Sequence, residues 1–283
     1  MEIKQIGVIG SGTMGGGIAH QAAISGFNVV LRDVEQKFLD NAYARMEKLM
    51  NRSIEKGKMS SEEKETVLGR IKLTTEVEDM SNCDVVIEAI IEDLEAKKEV
   101  FRQLDGLLKD SAIIASNTSS MSITAIAEAT NRPQQVAGMH FFNPAQLMKL
   151  VEVIRGYKTS DETIETLKKL SFDLNKEPIE VKKDTPGFIV NRIMIPQFIE
   201  AIRLVEEGVA SPEDVDKAVT LGLNYPMGPF ALQDYAGVDI GLHVMDYFYE
   251  EFKDQRFAAP LMLRNLVRAG RIGKKVGAGW YDY

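Results

Sequence analysis

Cysteine is almost missing from this chain: Cys83 is the only one in 283 residues. A lone thiol forms no internal disulfide and no cysteine metal cluster, which points to a reducing compartment. Histidine is scarce as well, with three (His20, His140 and His243), and tryptophan occurs once, at Trp280. Positive charge is in deficit, because 34 Lys and Arg against 42 Asp and Glu leave a net charge of −8. A surface of that sign does not neutralise a nucleic-acid backbone, so general nucleic-acid binding is excluded, whereas a small anion held by a local group of cations is not. No apolar run is long enough to span a bilayer, and the first residues enter a strand pattern without a basic segment or an apolar signal core. Repeats and low-complexity tracts are also lacking. The expectation is a cytoplasmic protein that engages neither nucleic acid nor membrane, with 45% hydrophobic residues to fill one large core or two ordinary ones.

Glycine is abundant in one place. An apolar strand, Ile3 to Ile9, runs directly into Gly10-Ser11-Gly12-Thr13-Met14-Gly15, and a helix pattern follows. A strand before and a helix after is the context that gives G-x-G-x-x-G its meaning. Gly10 permits the tight turn, Gly12 lets a pyrophosphate approach the backbone, and Gly15 lets the helix pack on the strand. The helix N-terminus then presents N–H groups and positive dipole to phosphate. The next strand, Phe27 to Asp33, ends in a carboxylate eighteen positions after Gly15, suited to the adenosine ribose hydroxyls and repellent to a 2′-phosphate. NAD is therefore expected over NADP, with Arg32 a neighbour that can accommodate such a phosphate.

Further apolar strands are read at Asp84–Glu92, Ala112–Ser116, Val136–Phe141, Leu150–Ile154 and Pro178–Lys182. In an open α/β sheet, ligands bind beyond the carboxyl ends of the strands. That edge collects Glu88, Glu92, the Ser116-Asn117-Thr118-Ser119-Ser120 cluster and His140, with Lys97 on the following helix. Thr118, Ser119 and Ser122 serve equally well as helix caps or as donors to a substrate oxygen, and Ser119 is the best candidate for the second role. Glu152 follows His140 by twelve residues within an apolar strand, where a carboxylate is costly without a partner. A strand-turn-strand excursion through Asn143 and Pro144 can return it to the imidazole and create a proton-transfer dyad. A structural histidine with a surface glutamate is the alternative.

A long helical pattern from Val34 to about Lys56 ends in Lys48, Arg52, Lys56 and Lys58. Arg52 and Lys56 share one face, either as a solvated surface or as a clamp for the phosphates of a coenzyme A thioester. Ser60 with Glu63 marks a helix start. Near residue 185 the pattern changes, and from there no strand is evident. Thr185 and Pro186 suit a helix start. Apolar residues from Phe188 to Val205 suggest a long helix kinked at Pro196, in which Asn191 lies near the start. The sequence thus divides into an α/β Rossmann-type dinucleotide-binding domain at 1–185 and an all-α substrate and dimerisation domain at 186–283, whose apolar residues suggest a homodimer interface or, equally, ordinary core packing. His20, in the first helix, is expected to be packed or solvent-facing, and His243 to be a helix residue in packing.

The motifs named so far, with Gly138-Met-His-Phe-Phe-Asn-Pro144, Lys149-Leu-Val-Glu-Val-Ile154, Pro186-Gly-Phe-Ile-Val-Asn-Arg192 and the Gly-Trp-Tyr-Asp-Tyr ending, together resemble the 3-hydroxyacyl-CoA dehydrogenase family over essentially the whole chain. The resemblance is greatest to its stand-alone bacterial members that act on 3-hydroxybutyryl-CoA. It implies NAD-dependent, reversible oxidation of a short-chain (S)-3-hydroxyacyl-CoA to the 3-oxoacyl-CoA, as in fatty-acid and butanoate metabolism. It implies His140 as general acid/base, Glu152 as its orienting partner, and Ser119 and Asn191 on the reacting oxygen. It implies Gly10, Ser11, Gly12, Thr13, Met14, Gly15, Asp33, Glu92, Lys97, Asn117, Ser119 and Asn143 around the cofactor. Arg52, Lys56, Ser119, Asn143 and Asn191 fall to the coenzyme A thioester, and no metal is implied. Trp280 stands where the family commonly has phenylalanine, a change expected to concern packing. The rival readings are a dehydrogenase of a free hydroxy acid or sugar acid, which has no use for Arg52 and Lys56, and a non-catalytic protein that keeps only the fold.

Overall fold

The computed structural model describes residues 2–283. It divides into two compact units, one ending at Thr185 and the other running from Pro186 to Tyr283. In the first unit eight strands, β1 (Gln5–Ile9), β2 (Asn28–Arg32), β3 (Ile71–Thr74), β4 (Val85–Glu88), β5 (Ile113–Ser116), β6 (Val136–Phe141), β7 (Leu150–Ile154) and β8 (Glu177–Val181), form a single sheet. Their order is β3-β2-β1-β4-β5-β6-β7-β8. The six strands from β3 to β6 are mutually parallel; β7 runs antiparallel to β6, and β8 parallel to β7. β4, β5 and β6 are unbroken runs of buried residues, and β1 is buried from Ile6 onward, as a parallel sheet covered on both faces requires.

The covering helices are α1 (Thr13–Ile24), α2 (Gln36–Glu55), α3 (Ser61–Gly69), α4 (Leu94–Leu107), α5 (Ile123–Ala127) and α6 (Asp161–Asp173). One core joins sheet and helices, with Ile6, Val8, Ile18, Leu31, Met46, Ile87, Met139, Val153 and Leu167 among its buried members. Local chemistry sets the ends of these helices. Ser60 and Glu63 cap α3 reciprocally, Asp93 caps α4 at Ala96 N–H, and Ser122 caps α5 at Ala125 N–H. Among the described residues no helix is long and apolar enough to cross a membrane.

The second unit is helical, with α7 (Val190–Glu206), α8 (Pro212–Gly222), α9 (Pro229–Ala236), α10 (Val238–Phe252) and α11 (Leu261–Arg268). Its own core gathers Ile199, Ile202, Phe230, Met245, Phe248, Phe257 and Leu263. Two carboxylates, Asp234 buried and Asp216 half-buried, fasten its C-terminal tail. Asp216 accepts the N–H groups of Phe230 and Ala231 and the Tyr281 hydroxyl, at 2.8–2.9 Å. Asp234 accepts Trp280 and Tyr281 N–H at 2.8 and 2.9 Å and the Tyr283 hydroxyl at 3.1 Å. Trp280 meets Phe230 edge-on with ring centroids 4.7 Å apart, a packing role.

Several expectations need correction. The strand read as Asp84–Glu92 stops at Glu88 because the Glu88 carboxylate accepts the Ile90 N–H and turns the chain out of the sheet, leaving Glu92 on a loop. The long helix does not start at Thr185 and Pro186. Gly187 and Phe188 take left-handed backbone angles (φ 71 and 52), incompatible with a helix, and α7 begins at Val190. The tail contributes isolated bridges, Gly273 to Ala278 and Ala278 to Asp282. β3, four residues at the sheet edge, carries too short a pattern to be read in advance. Of the two readings open for His20, packed or solvent-facing, the structure has the packed one, whereas His243, expected in packing, lies exposed on α10.

Candidate active site

Asp33 and the glycine-rich turn form the left half of the sheet's carboxyl edge. Gly10 has φ +94, and a Cβ there would lie 2.5 Å from the carbonyl oxygen of Ala89; a Cβ on Gly15 would lie 1.8 Å from that of Gly10. Only glycine fits either position. A Cβ on Gly12, by contrast, would meet nothing within 4 Å, and no side chain caps α1, whose N-cap is Gly12. An open backbone turn at an uncapped helix N-terminus fits a pyrophosphate. Thr13 is exposed and Met14 half-buried at the start of that helix.

The Asp33 carboxylate is engaged on both oxygens. Oδ2 accepts the Ser11 N–H at 2.6 Å and the Ser11 hydroxyl at 2.7 Å, and Oδ1 accepts the Val34 N–H. It therefore tethers the glycine turn while remaining partly exposed beyond the end of β2. Arg32 donates through Nε to the Thr75 carbonyl, 3.2 Å away, which commits its guanidinium to the neighbouring loop. Sequence reading missed Arg45 on α2, whose Nη2 donates to the Ser11 carbonyl at 2.8 Å. Only its position on the helix facing the turn distinguishes it, and that is a tertiary fact.

The right half of the edge is a polar network. Glu88, the last residue of β4, is fully buried, and the ammonium of Lys97 lies 2.7 Å from its Oε1 and 3.2 Å from Glu92 Oε2. Lys97, only 1% exposed, is thus enclosed by carboxylates. Glu88 Oε2 accepts the Ser116 hydroxyl at 2.7 Å. Glu92 Oε1 accepts the Thr118 hydroxyl and the Ser119 N–H, the latter at 3.1 Å. Burial pushes the Glu92 carboxyl upward, but the Lys97 charge and the Thr118 and Ser119 donors outweigh it and hold the group below the usual range. Asn117 accepts the Phe141 N–H on its side-chain oxygen at 2.9 Å, which fixes the end of β6.

His140 and Glu152 are direct cross-strand partners in the antiparallel β6–β7 pair. The Nδ1 of His140 lies 2.7 Å from Glu152 Oε2, with the carboxylate side chain fully buried and the imidazole 7% exposed. The chain between them turns through Asn143, exposed, and a cis Asn143–Pro144 peptide. Phe142 lies against the imidazole with ring centroids 4.5 Å apart. A neutral imidazole that donates Nδ1–H to a carboxylate keeps Nε2 as its basic nitrogen. Such a pair accepts or returns one proton at a fixed place.

Arg52 and Lys56 lie exposed at the end of α2, away from that network in sequence, where Arg52 is the basic residue of the last turn and Lys56 the C-cap. Asn191 is the second residue of α7 in the other unit. The first unit thus brings together Asp33, the glycine turn, Glu92, Lys97, Asn117, Ser119, His140 and Glu152 along one sheet edge.

A doubly wound sheet with this turn and a buried acid/base pair defines a dinucleotide-dependent dehydrogenase. Comparison with known proteins narrows the class. Residues 5–185 match the model of the 3-hydroxyacyl-CoA dehydrogenase NAD-binding domain, and residues 187–283 that of the C-terminal domain of the same family. A probable 3-hydroxybutyryl-CoA dehydrogenase of Deinococcus radiodurans is 48% identical over 99% of this chain and 100% of its own length. A 3-hydroxybutyryl-CoA dehydrogenase of Clostridioides difficile is 46% identical over 99% of each. The crystal structure of (S)-3-hydroxybutyryl-CoA dehydrogenase from Ralstonia eutropha superposes with a TM-score of 0.96 at 44% identity, covering 100% of this chain and 99% of that one. The chain belongs to the 3-hydroxyacyl-CoA dehydrogenase family, and its cofactor is NAD.

Proposed function

We propose that the chain catalyses the reversible oxidation of (S)-3-hydroxybutyryl-CoA, or a similarly short 3-hydroxyacyl-CoA, to the 3-oxoacyl thioester. The observation that carries this reading is the buried His140–Glu152 pair at the end of β6, on the sheet edge that also holds the dinucleotide turn. NAD, held by the turn from Gly10 to Gly15, would supply the acceptor for the C3 hydride. His140 takes the hydroxyl proton on Nε2 as the C3–O bond becomes a carbonyl, and returns it in the reverse direction. Glu152 holds the ring in the productive tautomer and stabilises the imidazolium, an electrostatic term that strengthens as water leaves the site.

Ser119 offers a hydroxyl to the C3 oxygen or the thioester carbonyl, and its backbone anchorage to Glu92 supports a fixed position. Asn191 is assigned the same kind of contact and Asn143 a place beside both ligands; the family resemblance supports these two roles. Gly10 through Gly15 cradle the pyrophosphate, Asp33 takes the ribose hydroxyls, and Asn117 holds the β6 end. Glu92 lines the nicotinamide side, with Lys97 acting through it. Arg52 and Lys56 are assigned to the coenzyme A phosphates, supported by their exposure at a helix end and their chemistry.

The C-terminal unit is proposed to bind the thioester and to form a homodimer. Its surface supports the second role, with Ile193, Leu221, Leu223 and Ile240 exposed, Leu221 to 76%. A cytoplasmic location is supported by the single buried thiol of Cys83, which burial raises to about 12 and so keeps unreactive.

The test is loss of NADH absorbance with acetoacetyl-CoA, beside free acetoacetate and beside NADPH. Rapid turnover of the thioester with NADH, and little of the others, supports the reading. Turnover of the free acid alone transfers the chain to a different substrate class.

A further inference from the structure

Three side chains at the end of β4 carry an unequal charge. Lys97 has one ammonium, and Glu88 and Glu92 each offer it a carboxylate oxygen, at 2.7 and 3.2 Å. The other hydrogen bonds to these two carboxylates are all donated to them: Ser116 hydroxyl and Ile90 N–H to Glu88, and the Thr118, Ser119 and Ser120 hydroxyls and the Ser119 N–H to Glu92. Two anions and one cation leave one negative charge in excess. Lys97 and Glu88 are sealed inside, while the Glu92 side chain remains 30% exposed, so the excess faces outward at Glu92.

The fold says what that charge faces. A dinucleotide spans the switch point of a doubly wound sheet, here between β1 and β4. Asp33 and β2 occupy the adenosine half, which leaves the β4–β5 half for the nicotinamide. The phosphate turn and the triad are physically joined, since Gly10 packs on the backbone of Ala89, one residue beyond Glu88. The oxidised nicotinamide carries a positive charge and the reduced ring carries none.

We propose that the Glu88–Lys97–Glu92 triad sets selectivity between the two redox states of the cofactor, its excess negative charge favouring NAD⁺ over NADH, with Glu88 the positioning residue that keeps Lys97 from cancelling Glu92. The inference rests on the family's use of NAD and is independent of the thioester reading, because its test contains no thioester.

Glu88→Gln is the direct probe. The amide oxygen can keep the Lys97 and Ile90 donors on the Oε1 side, and the amide nitrogen can donate to Ser116 Oγ, whose hydroxyl turns from donor to acceptor. One charge is removed with the hydrogen bonds kept. Dissociation constants for NAD⁺ and for NADH are measured separately by calorimetric titration of the intact protein. The ratio Kd(NAD⁺)/Kd(NADH) is expected to rise about tenfold, the scale of one charge acting across a partly buried site. Ser116→Ala removes a bond to Glu88 without touching charge and is expected to leave the ratio unchanged. Should Glu88→Gln fail to fold, Glu92→Gln removes the same charge at the rim and carries the same expectation. A ratio that stays within about twofold, whether both affinities hold or fall together, overturns the proposal, as does a shift with Ser116→Ala as large as that with Glu88→Gln.

Discussion

Two buried histidines in the first unit sit in opposite surroundings, and those surroundings separate function from stability. His140 has a carboxylate 2.7 Å from one ring nitrogen. Its replacement by alanine should cost at least the 10²–10⁴-fold typical of general acid–base transfer, measured as kcat in the NADH assay, with NADH binding retained. Glu152→Gln should lower kcat about 10²-fold and displace the pH profile while NADH still binds; loss of cofactor binding instead would mark Glu152 as structural. His20 lies inside α1, 3% exposed, and neither ring nitrogen has a hydrogen-bond partner among the described residues. Burial lowers its pKa to about 4 from the ordinary 6.5. The unfolded chain therefore binds the extra proton first as pH falls. Stability is full above about pH 6.5 and declines toward pH 4, by about 3 kcal/mol at this residue. Denaturant titrations of His20→Leu against the parent should show that this part of the pH dependence is gone.

At the scale of the element, the sheet edge and α2 do different kinds of work. The strand ends hold their groups rigidly: β5 sits between β4 and β6, and the β6–β7 pairing sets His140 opposite Glu152 by register alone. The end of α2 presents the exposed cations Arg52 and Lys56, whose proposed role is to bind phosphate without aligning the reacting atoms. Neutralising Arg52 and Lys56 together should raise KM for acetoacetyl-CoA about tenfold, close to 1.4 kcal/mol, and leave kcat within about twofold. An unchanged KM would return α2 to a solvated surface and reopen the free-acid reading. Much of this level was legible beforehand. The glycine turn, the β6 and β7 strands and the Ser60–Glu63 cap each carry their signal within a few adjacent residues. What was not legible was of two kinds: backbone choices that carry no pattern, namely the early exit of β4 where Glu88 bonds to the Ile90 N–H and the left-handed Gly187 and Phe188, and contacts that only the tertiary fold makes, namely Arg45 reaching the turn and Lys97 enclosed by two carboxylates.

For the molecule as a whole, each unit has its own core and its own fastening. In the second unit that fastening is the pair Asp216 and Asp234, which hold the tail through backbone N–H groups and tyrosine hydroxyls. The hydroxyl of Tyr283 is correspondingly reluctant to ionise, raised to about 12 by burial and by the Asp234 charge. Asp234→Ala strands the Trp280 and Tyr281 N–H groups at a site where the carboxylate was 1% exposed. The cost should be about 3 kcal/mol, read as a fall of roughly 10–20 °C in the denaturation midpoint of this unit. A midpoint unchanged from the parent would show that the tail contributes nothing to stability.

That fastening also has a direction in time. Ribosomes deliver a chain from its N-terminus, and units fold as they emerge. The sheet-bearing unit has its own core and ends at Thr185, so its residues are all delivered while synthesis continues. The fastening of the helical unit is complete only once Tyr283 has emerged, because its hydroxyl donates to Asp234. Until that residue emerges, the growing chain is a cofactor-binding half followed by helices whose tail is not yet fastened.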